Sequence, residues 1–182
     1  MRKPRRIVEG ARYHVVARAN RRESILESAA VKTMLLDVIG RARRRFRFSL
    51  DTLCIMDNHI HLLIWPGTRE SLSRVMQWIL SVFAMKFNRL IGVHGHVWYD
   101  RFKSVVVRTL SQFAHAYSYI GDNPVRARMV ERSTDYRFGA AGIRRHGPPG
   151  ILDPPTQLEV LLFGSDGCHT LACLCPVAPG KR

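Results

Sequence analysis

Hydrophobic residues recur along the chain with two different periods, and the order of those periods predicts a fold. Residues 12–18, RYHVVAR, alternate apolar and polar side chains, the period of a half-buried strand. Val31, Met34, Leu35, Val38, Ile39 and Ala42 then recur at helical spacing, with Ser28 placed to cap and Arg41, Arg43 and Arg44 at the cation-favouring C-terminal end. Residues 48–55 and 58–65 read as two strands joined tightly through Met56 and Asp57, hence a hairpin. Leu72, Val75, Met76, Ile79, Phe83, Phe87 and Leu90 mark one face of a second helix. Residues 104–109 form a β-branched run, and 111–122 look like a third helix that Pro124 should stop. The order β-α-β-β-α-β is the split βαβ, ferredoxin-like arrangement of an α+β domain. It predicts a four-stranded antiparallel sheet with both main helices on one face and a trailing helix after the last strand. Beyond Tyr136 periodicity lapses, so residues 1–138 are expected to form the domain and 139–182 an irregular C-terminal tail.

Two chemical features sit on this frame. His59 and His61 are two apart on a predicted strand, so they share one side while Ile60, Leu62 and Ile64 share the other. With the two main helices on the Ile/Leu side, the histidines should look out from the open face. Imidazoles about 7 Å apart along a strand can hold one divalent cation if a third ligand arrives from elsewhere. Two solvated histidines on an exposed sheet would show the same spacing. In the third helix, Tyr119 and Asn123 lie four apart on one face, and Tyr117 points nearly the opposite way. A tyrosine beside an amide oxygen suits a nucleophile next to a metal site; a core tyrosine and a capping asparagine would look alike.

Charge narrows the partner. The 182 residues carry 29 Lys and Arg against 14 Asp and Glu, a formal charge of +15 and a pI near 10.8. Neutralising phosphates relieves such self-repulsion and releases counterions, so nucleic acid is the leading partner. No run of about 18 uncharged apolar residues is present, which predicts no membrane partner and a cytoplasmic, nucleoid-associated protein. Residues 148–180 contain no Lys or Arg, which assigns the binding surface to roughly the first 145 positions. Cys168, Cys173 and Cys175 near the end match no standard zinc-finger spacing and read as reduced thiols.

Three segments taken together, MDNHIHLLI, VWYDRFKSVVV and YSYIGDNPVRARMV, with YHVVARANRR near the N-terminus, resemble the single-tyrosine HUH transposases. They are most like the short kind associated with repetitive extragenic palindromes, and the resemblance covers about residues 4 to 138. It implies the same ferredoxin-like fold, a metal-binding pair at His59 and His61, completion of the metal site by Asn123, and Tyr119 as nucleophile. The cofactor implied is Mg²⁺ or Mn²⁺. The implied activity is cleavage and rejoining of single-stranded DNA, folded as a hairpin, through a 5′-phosphotyrosine intermediate, by a monomer or homodimer. Phosphate contacts are expected from Arg5, Arg6, Arg18, Arg21, Arg22, Arg43, Arg44, Arg101, Lys103 and Arg126, and base stacking from Trp65, Trp98 or Tyr99. Relatives commonly carry Pro where Asp57 stands and Gly where Arg128 stands. Asp57 should therefore add an oxygen ligand or cap the turn, and Arg128 should keep an ordinary negative φ. The ending TDYRFGAAG also departs from the family pattern. Two other readings compete, a DNA-binding relative without catalysis and a metal-dependent hydrolase.

Overall fold

A computed structural model describes residues 8, 10–68 and 70–164. The strands are β1 (Arg12–Arg18), β2 (Ser49–Ile55), β3 (His59–Trp65) and β4 (Lys103–Val107). The helices are α1 (Ala29–Arg45), α2 (Leu72–Ile91), α3 (Leu110–Arg126), α4 (Ala140–His146) and α5 (Gln157–Phe163). The sheet runs β2-β3-β1-β4 with every neighbour antiparallel, which is the predicted ferredoxin-like order.

Local chemistry sets the boundaries. Ser28 Oγ accepts from the amide of Ala30 to start α1, and Ser71 Oγ accepts from Arg74 to start α2. Gly92, at φ +70°, ends α2 in the left-handed region that a side chain would resist. The β2–β3 hairpin closes with the Met56 amide donating to His59 O at 2.9 Å.

Alternation divides the sheet into two faces. Tyr13, Val15, Ala17, Ile60, Leu62 and Ile64 are buried on one, under the apolar stripes of α1 and α2. The opposite face is not open as the sequence predicted. α3 lies across it, burying Phe113, Ala116, Tyr117 and Ile120, so that His61 is only 4% exposed. The amphipathic stripe of α3 needs an apolar partner, and that face is the surface left over.

Three further expectations are corrected. α3 does not stop before Pro124; it continues to Arg126 with Pro124 buried inside it. A helical proline forfeits one ladder bond and crowds the preceding turn, and here Asn123 Nδ2 donates to Tyr119 O at 2.7 Å in that turn. Arg128 does not keep negative φ but stands at +57°. Its amide donates to Val125 O and that of Met129 to Pro124 O, the closing pattern that usually recruits glycine. A left-handed arginine costs about 1 kcal/mol, so Arg128→Gly should raise the unfolding free energy by about that amount, measured by urea denaturation, with no change in the sheet. Lastly, the segment after 139 is not irregular throughout. α5 carries a capping box between Thr156 and Glu159, and Phe163 stacks on Tyr117 with ring centroids 4.4 Å apart. Arg43 clamps Asp153 through two bonds of 2.6 and 2.8 Å. Helices of seven residues between proline-rich turns are too short to show a period in sequence. Cys168, Cys173 and Cys175 lie outside the described residues. Among the described residues no helix is long and apolar enough to cross a membrane.

Candidate active site

The start of β3 and the middle of α3 meet on one face of the sheet. His59 stands opposite Arg18 and His61 opposite Val16 on β1, while His61 faces Cys54 on β2. The two imidazoles lie 4.8 Å apart between centroids and nearly perpendicular, at 79°. The half-buried ring of Tyr119 stands edge-on to His61, 5.8 Å away at 77°. Asn123 sits one helical turn on; its Nδ2 is committed to Tyr119 O, which leaves Oδ1 as its acceptor. The Arg126 guanidinium lies 4.8 Å from the Tyr119 ring and puts positive charge beside the phenol.

Hydrogen bonds fix what each imidazole presents. An amide oxygen can only accept, so the 2.7 Å contact between His59 Nδ1 and Asn58 Oδ1 puts the proton on Nδ1 and leaves Nε2 with a lone pair. His61 Nδ1 contacts His14 Nε2 at 2.9 Å. Burial, then the positive charge of neighbouring groups, favours the neutral rings: His61 is pushed down to about 3 and His59 to about 4. His14 is lowered as well, by burial and then by His115. Neutral imidazoles with lone pairs are donors suited to a divalent cation. Among the described residues, no group of three or more His, Cys, Asp or Glu side chains is placed to hold a metal.

The sign of the pH response follows. Both folded values lie below the 6.5 of an unfolded histidine, so from about pH 6.5 downward the unfolded chain binds more protons and stability is lost. Asp51 has the opposite sign, since burial raises its carboxyl to about 6 against the pull of Arg12. Comparison of the metal-free chain with a His59→Gln/His61→Gln variant cancels Asp51. The difference in unfolding free energy should shift against the parent chain by about 3 kcal/mol between pH 6.5 and 4.5, discounted for the partial exposure of His59 from about 1.4 kcal/mol per group and pH unit.

The basic residues divide into two sets. Arg18 ends β1 beside His59, and Arg22 O accepts from Asn58 Nδ2, which brings the loop of Arg21 and Arg22 to the start of the histidine strand. Both loop arginines have positive φ, +50° and +59°, strain of the kind that gathers at functional loops. Lys103 faces the same side as His61, two strands away through Val16. Arg101 is exposed in the adjoining loop, where the amide of Tyr99 donates to Arg18 O. Arg43 and Arg44 are not part of this set. They belong to the C-terminal end of α1, on the other layer, and Arg43 is consumed by Asp153 and Phe48 O. Arg5 and Arg6 lie outside the described residues.

Of the aromatics, Trp98 is a core anchor, its Nε1 donating to Leu80 O and its ring against Phe83, whereas Tyr99 is 73% exposed. Trp65 is half-buried at the far end of β3 from His59. Asp57 Oδ1 holds the buried ammonium of Lys32 at 2.6 Å, a partner the sequence reading did not foresee. Sequence reasoning missed His14, which touches both His61 and Tyr119 (5.8 Å to the latter). Its signal was present in the alternation of β1, whose polar side carries His14, but only the strand pairing shows that this side faces His61.

Comparison with known proteins agrees with this fold. The family described as Transposase IS200 like matches residues 7–123. The structure of the REP-associated tyrosine transposase bound to a REP hairpin is similar at a TM-score of 0.66 and 22% identity, covering 84% of this chain and 89% of that one. A transposase-like crystal structure from Deinococcus radiodurans R1 is 18% identical over 67% of this chain and 97% of its own, at a TM-score of 0.45 that supports no argument. No curated protein matches the chain. Because the family match runs unbroken from ahead of β1 to Asn123, well over half of the sequence, this chain belongs to the IS200-like transposase family.

Proposed function

We propose that the chain cleaves and rejoins single-stranded DNA through a covalent bond between Tyr119 and a 5′-phosphate. The observation that carries this reading is the edge-on approach of the half-buried Tyr119 phenol to the His61 imidazole, with His59 beside it and the Asn123 amide one turn away. His59 Nε2, His61 Nε2 and Asn123 Oδ1 would hold Mg²⁺ or Mn²⁺. Such an ion, when bound, polarises a phosphate and offsets the charge that grows on it.

The chain's own groups account for the remaining steps. Arg18, Arg21, Arg22, Arg101 and Lys103 form the basic rim near His59 and bind the DNA backbone by charge. Exposed Tyr99 offers a ring on which an unpaired base can stack. Tyr119 Oη attacks phosphorus, forming the Oη–P bond as the P–O3′ bond breaks; the phenol gives up its proton to solvent and the released 3′ oxygen takes one. Arg126 holds positive charge against the phenol as this occurs. Attack by the 3′-OH of a second strand reverses the exchange and joins DNA without any nucleotide cofactor, since the ester keeps the energy of the broken bond. The solved relative bound to a REP hairpin supports a hairpin as the folded form of the substrate.

A labelled single-stranded hairpin oligonucleotide incubated with the chain and Mn²⁺ should give a slow-migrating protein–DNA adduct on a denaturing gel, and EDTA should abolish it. Salt-sensitive binding with neither adduct nor cleavage would instead establish a DNA-binding protein without catalysis. Cleaved DNA with no protein attached would establish a hydrolase.

A further inference from the structure

We propose that His14 is a positioning residue for His61, holding its proton on Nδ1 so that Nε2 keeps the lone pair a cation requires. This rests on the reading of His59, His61 and Asn123 as cation ligands.

The argument starts from proton counting. The 2.9 Å contact between His14 Nε2 and His61 Nδ1 has room for one proton. If that proton belongs to His61, its Nε2 is left unprotonated. If it belongs to His14, His61 must carry its own proton on Nε2 and would aim an N–H at the cation. Only the first arrangement lets His61 ligate, and it requires an acceptor behind the ring. His59 meets the same requirement with a neighbour in sequence, since Asn58 Oδ1 accepts from its Nδ1. For His61, which is 4% exposed, the acceptor comes from another strand. β1 supplies it because its alternation sets His14 and Val16 on one side, and Val16 is the partner of His61.

His14 also packs edge-on against Tyr119, with centroids 5.8 Å apart at 60°. One side chain thus touches both the ligand and the nucleophile, fixing the orientation of one against the other. Groups behind metal-bound histidines orient the ring and raise its basicity, and losing them typically weakens metal affinity about 10- to 100-fold.

The test uses the full chain with Mn²⁺ alone as probe. Nitrogen NMR of the imidazoles in EDTA should find His61 protonated on Nδ1. Mn²⁺ affinity, measured by electron paramagnetic resonance of the free ion, should fall at least about 10-fold in His14→Leu and stay within about 3-fold in His14→Gln, whose Oε1 can accept. Unfolding midpoints in EDTA accompany each variant, because loss of packing alone would lower the midpoint without separating Gln from Leu. Three results would overturn the inference: His61 protonated on Nε2, unchanged Mn²⁺ affinity in a folded His14→Leu, or Gln as weak as Leu. Should His14→Leu fail to fold, the proton position in the parent chain and the affinity of His14→Gln still decide it. A parent chain that binds no Mn²⁺ would overturn the metal reading and this inference together. Mn²⁺ binding with the proton on Nε2 would overturn only this one.

Discussion

Tyr119→Phe is expected to eliminate the covalent adduct with single-stranded DNA, a loss of at least about 10⁴-fold, the scale on which removing an enzymatic nucleophile acts. Only Oη is removed, so the ring keeps its edge contacts with His61 and His14 and its place under Arg126. Folding and DNA binding should therefore persist, and a hairpin-binding titration on the variant should match the parent within about 2-fold while the adduct gel stays blank. Tyr117 makes the useful control. It lies two residues away on α3 but faces the interior, stacked on Phe163, with burial pushing its phenol up to about 12. An adduct that survives Tyr119→Phe would remove the nucleophile from the account, however well the rest of the site agreed.

The second large effect is expected at the imidazoles. His61→Gln and His59→Gln should each lower strand cleavage by about 10³-fold, because charge stabilisation worth several kcal/mol translates at about 1.4 kcal/mol per factor of ten. Neutral rings are already favoured at pH 7, so the variants lose a ligand and not a positive charge. Their DNA affinity should thus stay near that of the parent, while Mn²⁺ affinity falls in parallel with cleavage. Cleavage that is indifferent to both histidines would leave the phenol without its metal partner and favour a different chemistry.

Much of the frame is legible in the sequence, for identifiable reasons. The stripes of α1 and α2 run four or five turns and β1 alternates along its length, so period places them, while β3 shows as a short apolar run behind its two histidines. Side-chain spacing also puts Tyr119 and Asn123 on one face and His59 and His61 on one side. What escapes depends on long-range pairing. His14 is ordinary until β1 is known to lie between β3 and β4 in this register. The burial of His61 depends on α3 folding back over the second face, and the loss of Arg43 to Asp153 on a segment 110 residues away. The ion pair of Asp57 with Lys32 escapes as well, since the ammonium stands 25 residues earlier in the chain. Pro124 and Arg128 mislead for a local reason, since each breaks a backbone rule that the surrounding turn compensates.

Mapping the attachment point tests the central claim most directly. After reaction with a hairpin oligonucleotide in Mn²⁺, nuclease trimming and proteolysis, mass spectrometry of the adduct should find a single phosphotyrosyl modification on the α3 peptide, at Tyr119, with the free end of the cut DNA a 3′-OH. A nucleotide attached at any other side chain, or a 5′-OH left on the released DNA, would contradict it.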